Sequence, residues 1–146
     1  MKRISDLLQS KSDQIWSIEP TASVYDAIAL MAEKNIGAVL VMEGDRLVGI
    51  LSERDYARKV ILENRTSATT RVDELMTRDI VYAEPTEKVD ECMALMTDKR
   101  IRHLPVMADG KLLGLVSIGD LVKAVIEHQQ FEIDQLEHYI SGAPGG

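Results

Sequence analysis

The sequence predicts an α+β fold made of two pseudo-twofold-related copies of a strand-helix-strand-strand-helix unit, with a long C-terminal helix added to the second copy. Three observations predict it. Residues 19–55 lie over residues 84–120 without a gap at a constant offset of 65, and 15 of the 37 aligned positions are identical. Chance at average residue frequencies would give about two or three. Within each copy the apolar pattern switches from helical spacing to short continuous runs split by glycine-containing turns. Past the second copy, Val122, Ile126, Gln129, Ile133, Leu136 and Ile140 recur at alternating steps of four and three, the seam of a short coiled coil. Two copies are too few for a solenoid, so they are expected to bury like faces against each other and to present any site at their junction twice.

In the first copy, Ile15-Trp16-Ser17-Ile18 is a short strand closed by Glu19-Pro20-Thr21. Ser23 with Asp26 three residues later has the form of a helix N-cap and its capping-box partner, and Val24, Ala27, Ile28 and Met31 share one helical face. The run Ala38-Val39-Leu40-Val41-Met42 is apolar throughout, as in a strand buried on both faces. Glu43-Gly44-Asp45 turns it into Leu47–Leu51, and Ser52-Glu53-Arg54-Asp55 opens a helix to about Leu62. The second copy repeats the order: strand Ile80 to Tyr82, a helix carrying Val89, Met93 and Met96, strand Leu104 to Met107, turn Asp109-Gly110, strand Leu112 to Val116, and a helix from Ser117.

Ile4-Ser5-Asp6-Leu7-Leu8 matches Val72-Asp73-Glu74-Leu75-Met76 as a looser lead-in to each copy, with three extra residues breaking the offset. Residues 63–70 read as a linker. The expected divisions are 1–64 for the first repeat with its lead-in, 65–126 for the second, and 127–146 for the helical extension and a flexible tail. The extension either folds back on its own domain or packs on a second subunit. Its projection beyond the repeat favours a homodimer through the repeat helices and this helix.

At 146 residues, 45% apolar and 28% charged, the chain has the size and composition of a globular domain. No run reaches the roughly 18 apolar residues of a membrane span. Gln9, Lys11, Ser12 and Asp13 follow the start too closely for a signal-peptide core, which reads as a cytoplasmic protein. A net charge of −7 argues against nucleic acid or an anionic membrane as partner. His103, His128, His138 and the single Cys92 show no metal-ligand spacing, so no metal site is expected. Cys92 matches Ala27 on a presumed helix face and reads as a buried small residue.

Chemistry is concentrated at two equivalent junctions, Gly49-Ile50-Leu51-Ser52-Glu53-Arg54-Asp55 and Gly114-Leu115-Val116-Ser117-Ile118-Gly119-Asp120. A helix start favours phosphate, and a nearby carboxylate can accept both hydroxyls of a ribose. Ser-x-x-Asp is equally an ordinary capping box. The duplicated glycine tips the balance, because it allows close backbone approach to a ligand in both copies. A second pair of segments differs: Gly37-Ala38 is replaced by Arg102-His103. Basic groups entering a buried strand need an anion. With Arg54 and Arg58 they form either a basic cleft or ion pairs with Glu53, Glu33 or Asp98.

The element order given twice, with Ile101-Arg102-His103-Leu104-Pro105-Val106 and the paired glycine-serine-aspartate junctions, resembles a pair of cystathionine beta-synthase (CBS) domains, the Bateman module. The likeness spans about Met1 to Ile126 and is greatest to stand-alone bacterial CBS-pair proteins with no catalytic domain. It implies a regulatory module that binds adenosine-containing molecules (AMP, ADP, ATP, NAD(H) or S-adenosylmethionine) in two clefts between the repeats. It further implies that Asp55 and Asp120 hold ribose hydroxyls, and that Ser52, Arg54, Ser117, Arg102 and His103 meet phosphate, with lining of the base pocket the alternative for Arg102 and His103. Ile15, Ile36, Ala38, Ile80, Ile101 and Pro105 would line the base pockets. Family members often carry a hydroxyl just before the aspartate, where this chain has Arg54 and Gly119, so the two sites are expected to be unequal. An unidentified regulated protein is implied as a further partner. The alternative is a structural or protein-interaction module indifferent to ligand. An enzyme is disfavoured, because neither Ser52 nor Ser117 has a convincing base and His103 lacks an orienting acid.

Overall fold

A computed structural model describes residues 2–10 and 15–141. The fold is α+β, and the described residues form two compact units, 15–81 and 2–10 with 82–141. Of the tail expected at 141–146, all but Ser141 lies outside the described residues.

The unit of residues 15–81 holds β1 (Ser17–Ile18), α2 (Val24–Lys34), β2 (Ala38–Glu43), β3 (Arg46–Ser52), α3 (Glu53–Tyr56), a π-helical turn (Ala57–Ile61) and α4 (Val72–Leu75). Its sheet runs β1-β2-β3, with β1 parallel and β3 antiparallel to β2. Ala38, Val39, Leu40 and Val41 are each at most 1% exposed, as a strand covered on both faces requires. Helix α2 lays Val24, Ala27 and Met31 on Val39, Val41 and Leu51, and Val72, Leu75 and Met76 complete this core. The helix begins at Ser23, whose hydroxyl accepts from Asp26 N at 3.1 Å, and ends at Asn35 in the left-handed region.

The other unit holds α1 (Ile4–Ser10), which precedes β1 in the chain, then α5 (Val89–Lys99), β4 (His103–Ala108), β5 (Lys111–Ser117) and α6 (Ile118–Ile140). Strands β4 and β5 form an antiparallel pair with the same register as β2 and β3. Both hairpins bulge at one place, between Val41 and Met42 and between Val106 and Met107. Their two-residue turns differ. Gly44 alone has positive φ in the first, the type II′ pattern, whereas Asp109 and Gly110 both do in the second, the type I′ pattern.

Two expectations need correction. The strand expected over Ile80 to Tyr82 is reduced to one bridge, Ala83 with Val106. In the first unit Leu40 N donates to Trp16 O at 3.3 Å. Leu40 matches Pro105, which has no N–H to donate, so the equivalent ladder bond is lost. The helix expected from Ser52 to Leu62 is α-helical for one turn only and then widens into the π turn.

The divisions 1–64, 65–126 and 127–146 do not coincide with the packing units. Each lead-in serves the other copy. Ile4 N and Ser5 N donate to Glu87 O and Pro85 O, at 2.9 and 3.0 Å, and Val89 N donates to Lys2 O at 3.1 Å. The matching bonds, Val72 N to Ala22 O, Asp73 N to Pro20 O and Val24 N to Thr70 O, lie at 2.8, 3.0 and 2.8 Å in the unit of residues 15–81. Helix α6 is continuous across the expected boundary at 126–127. Its residues from 129 onward are all exposed, so this stretch does not fold back on its own domain.

Candidate ligand-binding site

Strand pairing brings together within each unit the segments that the sequence keeps apart. Ala38 pairs with Ser52, and His103 with Ser117. The next residue in each helix fastens the corner, Glu53 N donating to Gly37 O at 3.0 Å and Ile118 N to Arg102 O at 2.8 Å. Gly37, Ala38, Ser52 and Asp55 therefore share one end of the β1-β2-β3 sheet, and Arg102, His103, Ser117 and Asp120 share the matching end of the β4-β5 pair.

Both aspartates close reciprocal capping boxes. Ser52 Oγ accepts from Asp55 N at 3.1 Å, while Asp55 Oδ2 accepts from Ser52 N at 3.1 Å and from Ser52 Oγ at 3.0 Å. Ser117 Oγ accepts from Asp120 N at 3.1 Å, and Asp120 Oδ2 accepts from Ser117 N at 2.8 Å. The capping role and a binding role are compatible, because an ionised carboxylate offers about four lone-pair sites and the box uses one oxygen. Both aspartates and both serines are half-buried, so solvent still reaches them.

The duplicated glycine has a different reason from the one the sequence suggests. A Cβ on Gly49 would lie 2.4 Å from Met76 Sδ, and one on Gly114 would lie 2.7 Å from Leu8 Cδ2. The space above each glycine is filled by the lead-in helix of its unit, not kept open for a ligand. Leu8 and Met76 are matched positions of the two lead-ins, so the same peg fills the same hole twice.

Arg102 is exposed just ahead of β4 rather than within the buried strand. Among the described residues its side chain makes no ion pair, so exposure and not pairing with Glu53, Glu33 or Asp98 accommodates its charge. His103 is half-buried at the first position of β4, and Arg54 is exposed on α3. Of the residues assigned to base pockets, Ile36 is half-buried and packs on the core of the unit of residues 15–81, while Ala38 and Pro105 are buried in their sheets. Ile15 is 36% exposed. Ile80 falls in the unit of residues 15–81 and Ile101 in the other, and both are half-buried.

One charged group at the site was not singled out from the sequence. Lys59 Nζ lies 3.5 Å from Asp55 Oδ1 and donates to Leu75 O at 3.0 Å. The i,i+4 spacing from Asp55 was the available signal. Among the described residues no group of three His, Cys, Asp or Glu side chains could hold a metal ion. Cys92 is 1% exposed, and burial first, then Glu87, pushes its thiol up to about 11. A thiol held protonated in this way is an inert core residue, as its match to Ala27 suggests.

The CBS-domain family model matches residues 4–62 and 72–127. The chain belongs to the CBS-domain family. Among CBS relatives, it is 43% identical to the mitochondrial CBS domain-containing protein CBSX3 of Arabidopsis thaliana, over 95% of this chain and 72% of that protein. A CBS-domain protein from Burkholderia ambifaria MC40-6 superposes with a TM-score of 0.85 at 54% identity, covering 88% of this chain and 96% of that one. The CBS domain pair of protein MJ0100, solved with 5′-methylthioadenosine and S-adenosyl-L-methionine, matches with a TM-score of 0.77 at 25% identity, covering 88% and 98%. Among the described residues no helix of this CBS protein is long and apolar enough to cross a membrane.

Proposed function

We propose that this CBS pair is a non-enzymatic regulatory module that binds adenosine-containing ligands through Asp55 and Asp120. The observation that carries the reading is the duplicated junction: a half-buried aspartate fixed by a serine cap, beside the strand end that supplies Gly37-Ala38 in one copy and Arg102-His103 in the other. The aspartates accept ribose hydroxyls. Ser52, Ser117, Arg54, Arg102 and His103 meet phosphate, and Ile15, Ile36, Ala38, Ile80, Ile101 and Pro105 border the base. The adenosine ligands in the related MJ0100 structure support the class, and the phosphate-binding candidates point within it to AMP, ADP, ATP or NAD(H).

The reading includes a homodimer through α6 and a regulated protein partner. Val122, Ile126, Ile133, Leu136 and Ile140 are 41, 58, 47, 60 and 79% exposed, a seam that a second copy would cover. Ligand would act on the partner by favouring one state of the dimer.

Isothermal titration with AMP, ATP, NADH and S-adenosylmethionine tests this directly. Saturable binding lost in the Asp55→Ala, Asp120→Ala double variant is the expected result. No heat with any of the four removes the reading.

One observation favours a second reading, an interaction module without ligand dependence. Both glycines and both serine-aspartate pairs have a structural role of their own, in lead-in packing and in capping. That reading predicts a protein partner whose binding ignores nucleotide.

A further inference from the structure

Lys59 owes its position to the π turn. At the offset of 65 its match is Ala124, which is 4% exposed and faces the core from α6. In the unit of residues 15–81 the wider turn over Ala57–Ile61 moves the core-facing position on by one residue, to Val60 at 2% exposed. Lys59 is thereby turned away from the core, with its side chain 40% exposed, and its ammonium reaches Asp55 Oδ1 and Leu75 O. An ammonium has three donors. One donates to Leu75 O, the 3.5 Å contact with Asp55 is an ion pair, and no further partner of the ammonium stands among the described residues.

We propose that Lys59 is a specificity-determining residue that makes the Asp55 site prefer an anionic adenosine ligand, such as a nucleoside phosphate, over the neutral nucleoside. The proposal rests on the adenosine reading above and adds a charge rule to one of its two sites. A ligand whose hydroxyls sit on Asp55 lies beside the Lys59 ammonium. The cation offsets the carboxylate, so a negative ligand is not repelled, and its uncommitted N–H can donate to the ligand's anionic group. A neutral nucleoside offers that donor only an uncharged acceptor and gains less from it. At the Asp120 junction the small, apolar Ala124 supplies no such charge, so the two sites differ in charge preference through position 59 as well as through Arg54 and Arg102.

The test is isothermal titration of the full chain carrying Asp120→Asn with 5′-AMP and with adenosine, at low and moderate salt. The same titrations are repeated with Lys59→Met, Lys59→Gln or Lys59→Arg added, each checked by circular dichroism for an intact fold. The preference for AMP over adenosine is expected to fall roughly tenfold with Met and Gln and to survive with Arg. It should also narrow as salt rises in the lysine protein. A preference unchanged by Met and by Gln overturns the role of Lys59 and leaves the adenosine reading standing. Failure of the Lys59 protein to bind either ligand overturns both.

Discussion

The two strand-to-helix junctions share their identical residues and differ in what surrounds them. At the Asp55 end the glycine is capped by Met76, the helix widens into a π turn, and Lys59 pairs with the aspartate. At the Asp120 end the glycine is capped by Leu8, the helix runs on for 23 residues, and an alanine stands where the lysine would be. Identity between the copies therefore records a shared frame of hairpin, cap and peg. The unmatched positions carry the charge, and charge decides what a half-buried carboxylate can hold.

The peg-in-hole contact gives the largest expected contrast. In Gly49→Ala the new Cβ meets Met76 Sδ at 2.4 Å, Cγ at 2.8 Å and Cβ at 3.1 Å, three atoms that cannot all swing away. A loss of roughly 2–3 kcal/mol is expected, or a Tm drop of roughly 5–10 °C. Gly114→Ala meets only the tip of Leu8 closely, with the next atom at 3.9 Å, and should cost less than about 1 kcal/mol. Equal Tm shifts by calorimetry would mean that the lead-ins are held elsewhere.

Cys92 and its match Ala27 give a contrast in pH. The thiol ionises near 9.0 when unperturbed and at about 11 in the fold, so the folded state holds its proton longer than the unfolded state does. Its contribution is complete below pH 9 and is lost as pH rises towards 11, a change on the order of 2 kcal/mol. Cys92→Ala installs the residue of the first copy. Urea melts at pH 8 and pH 10.5 should show wild type losing more stability than the variant over that interval, and parallel losses would place the thiol in contact with water.

The smallest contrast is among the three serine caps. Ser52→Ala and Ser117→Ala break reciprocal boxes and should each cost about 1–2 kcal/mol. Ser23→Ala removes only the bond to Asp26 N and should cost nearer 0.5–1 kcal/mol. Denaturant melts ranking Ser23→Ala as the most damaging would reverse that order.

These contrasts also separate what the sequence makes legible from what it does not. Hairpins, helix faces, caps and the buried run Ala38–Val41 are local, and apolar periodicity with turn chemistry specifies them. The exchange of lead-ins is not local. Leu8 and Met76 match each other in the alignment, and nothing in either segment says which glycine it will fill. Gly49 and Gly114 were visible as a pair, but an invisible neighbour gave them their reason. Pro105 was read for its place in a base pocket, while its missing N–H had the larger effect, reducing a strand to the single bridge at Ala83. The π turn leaves no mark in the periodicity, since Val60 and Lys59 each suit a helix.

The exchanged lead-ins also set an order of events during synthesis. Every partner in the unit of residues 15–81 is translated within one uninterrupted stretch. Arg3 hydrogen-bonds to Thr86, 83 residues further on. At about 5–20 residues per second, helix α1 waits on the order of 4–17 s after leaving the ribosome before its acceptors exist. Through that interval Ile4 and Leu7, buried in the finished protein, have no core to enter. Helix α1 thus docks only after the elements that follow it have been made, and a nascent chain stalled before residue 82 would expose it to whatever else in the cell binds an unpaired amphipathic turn.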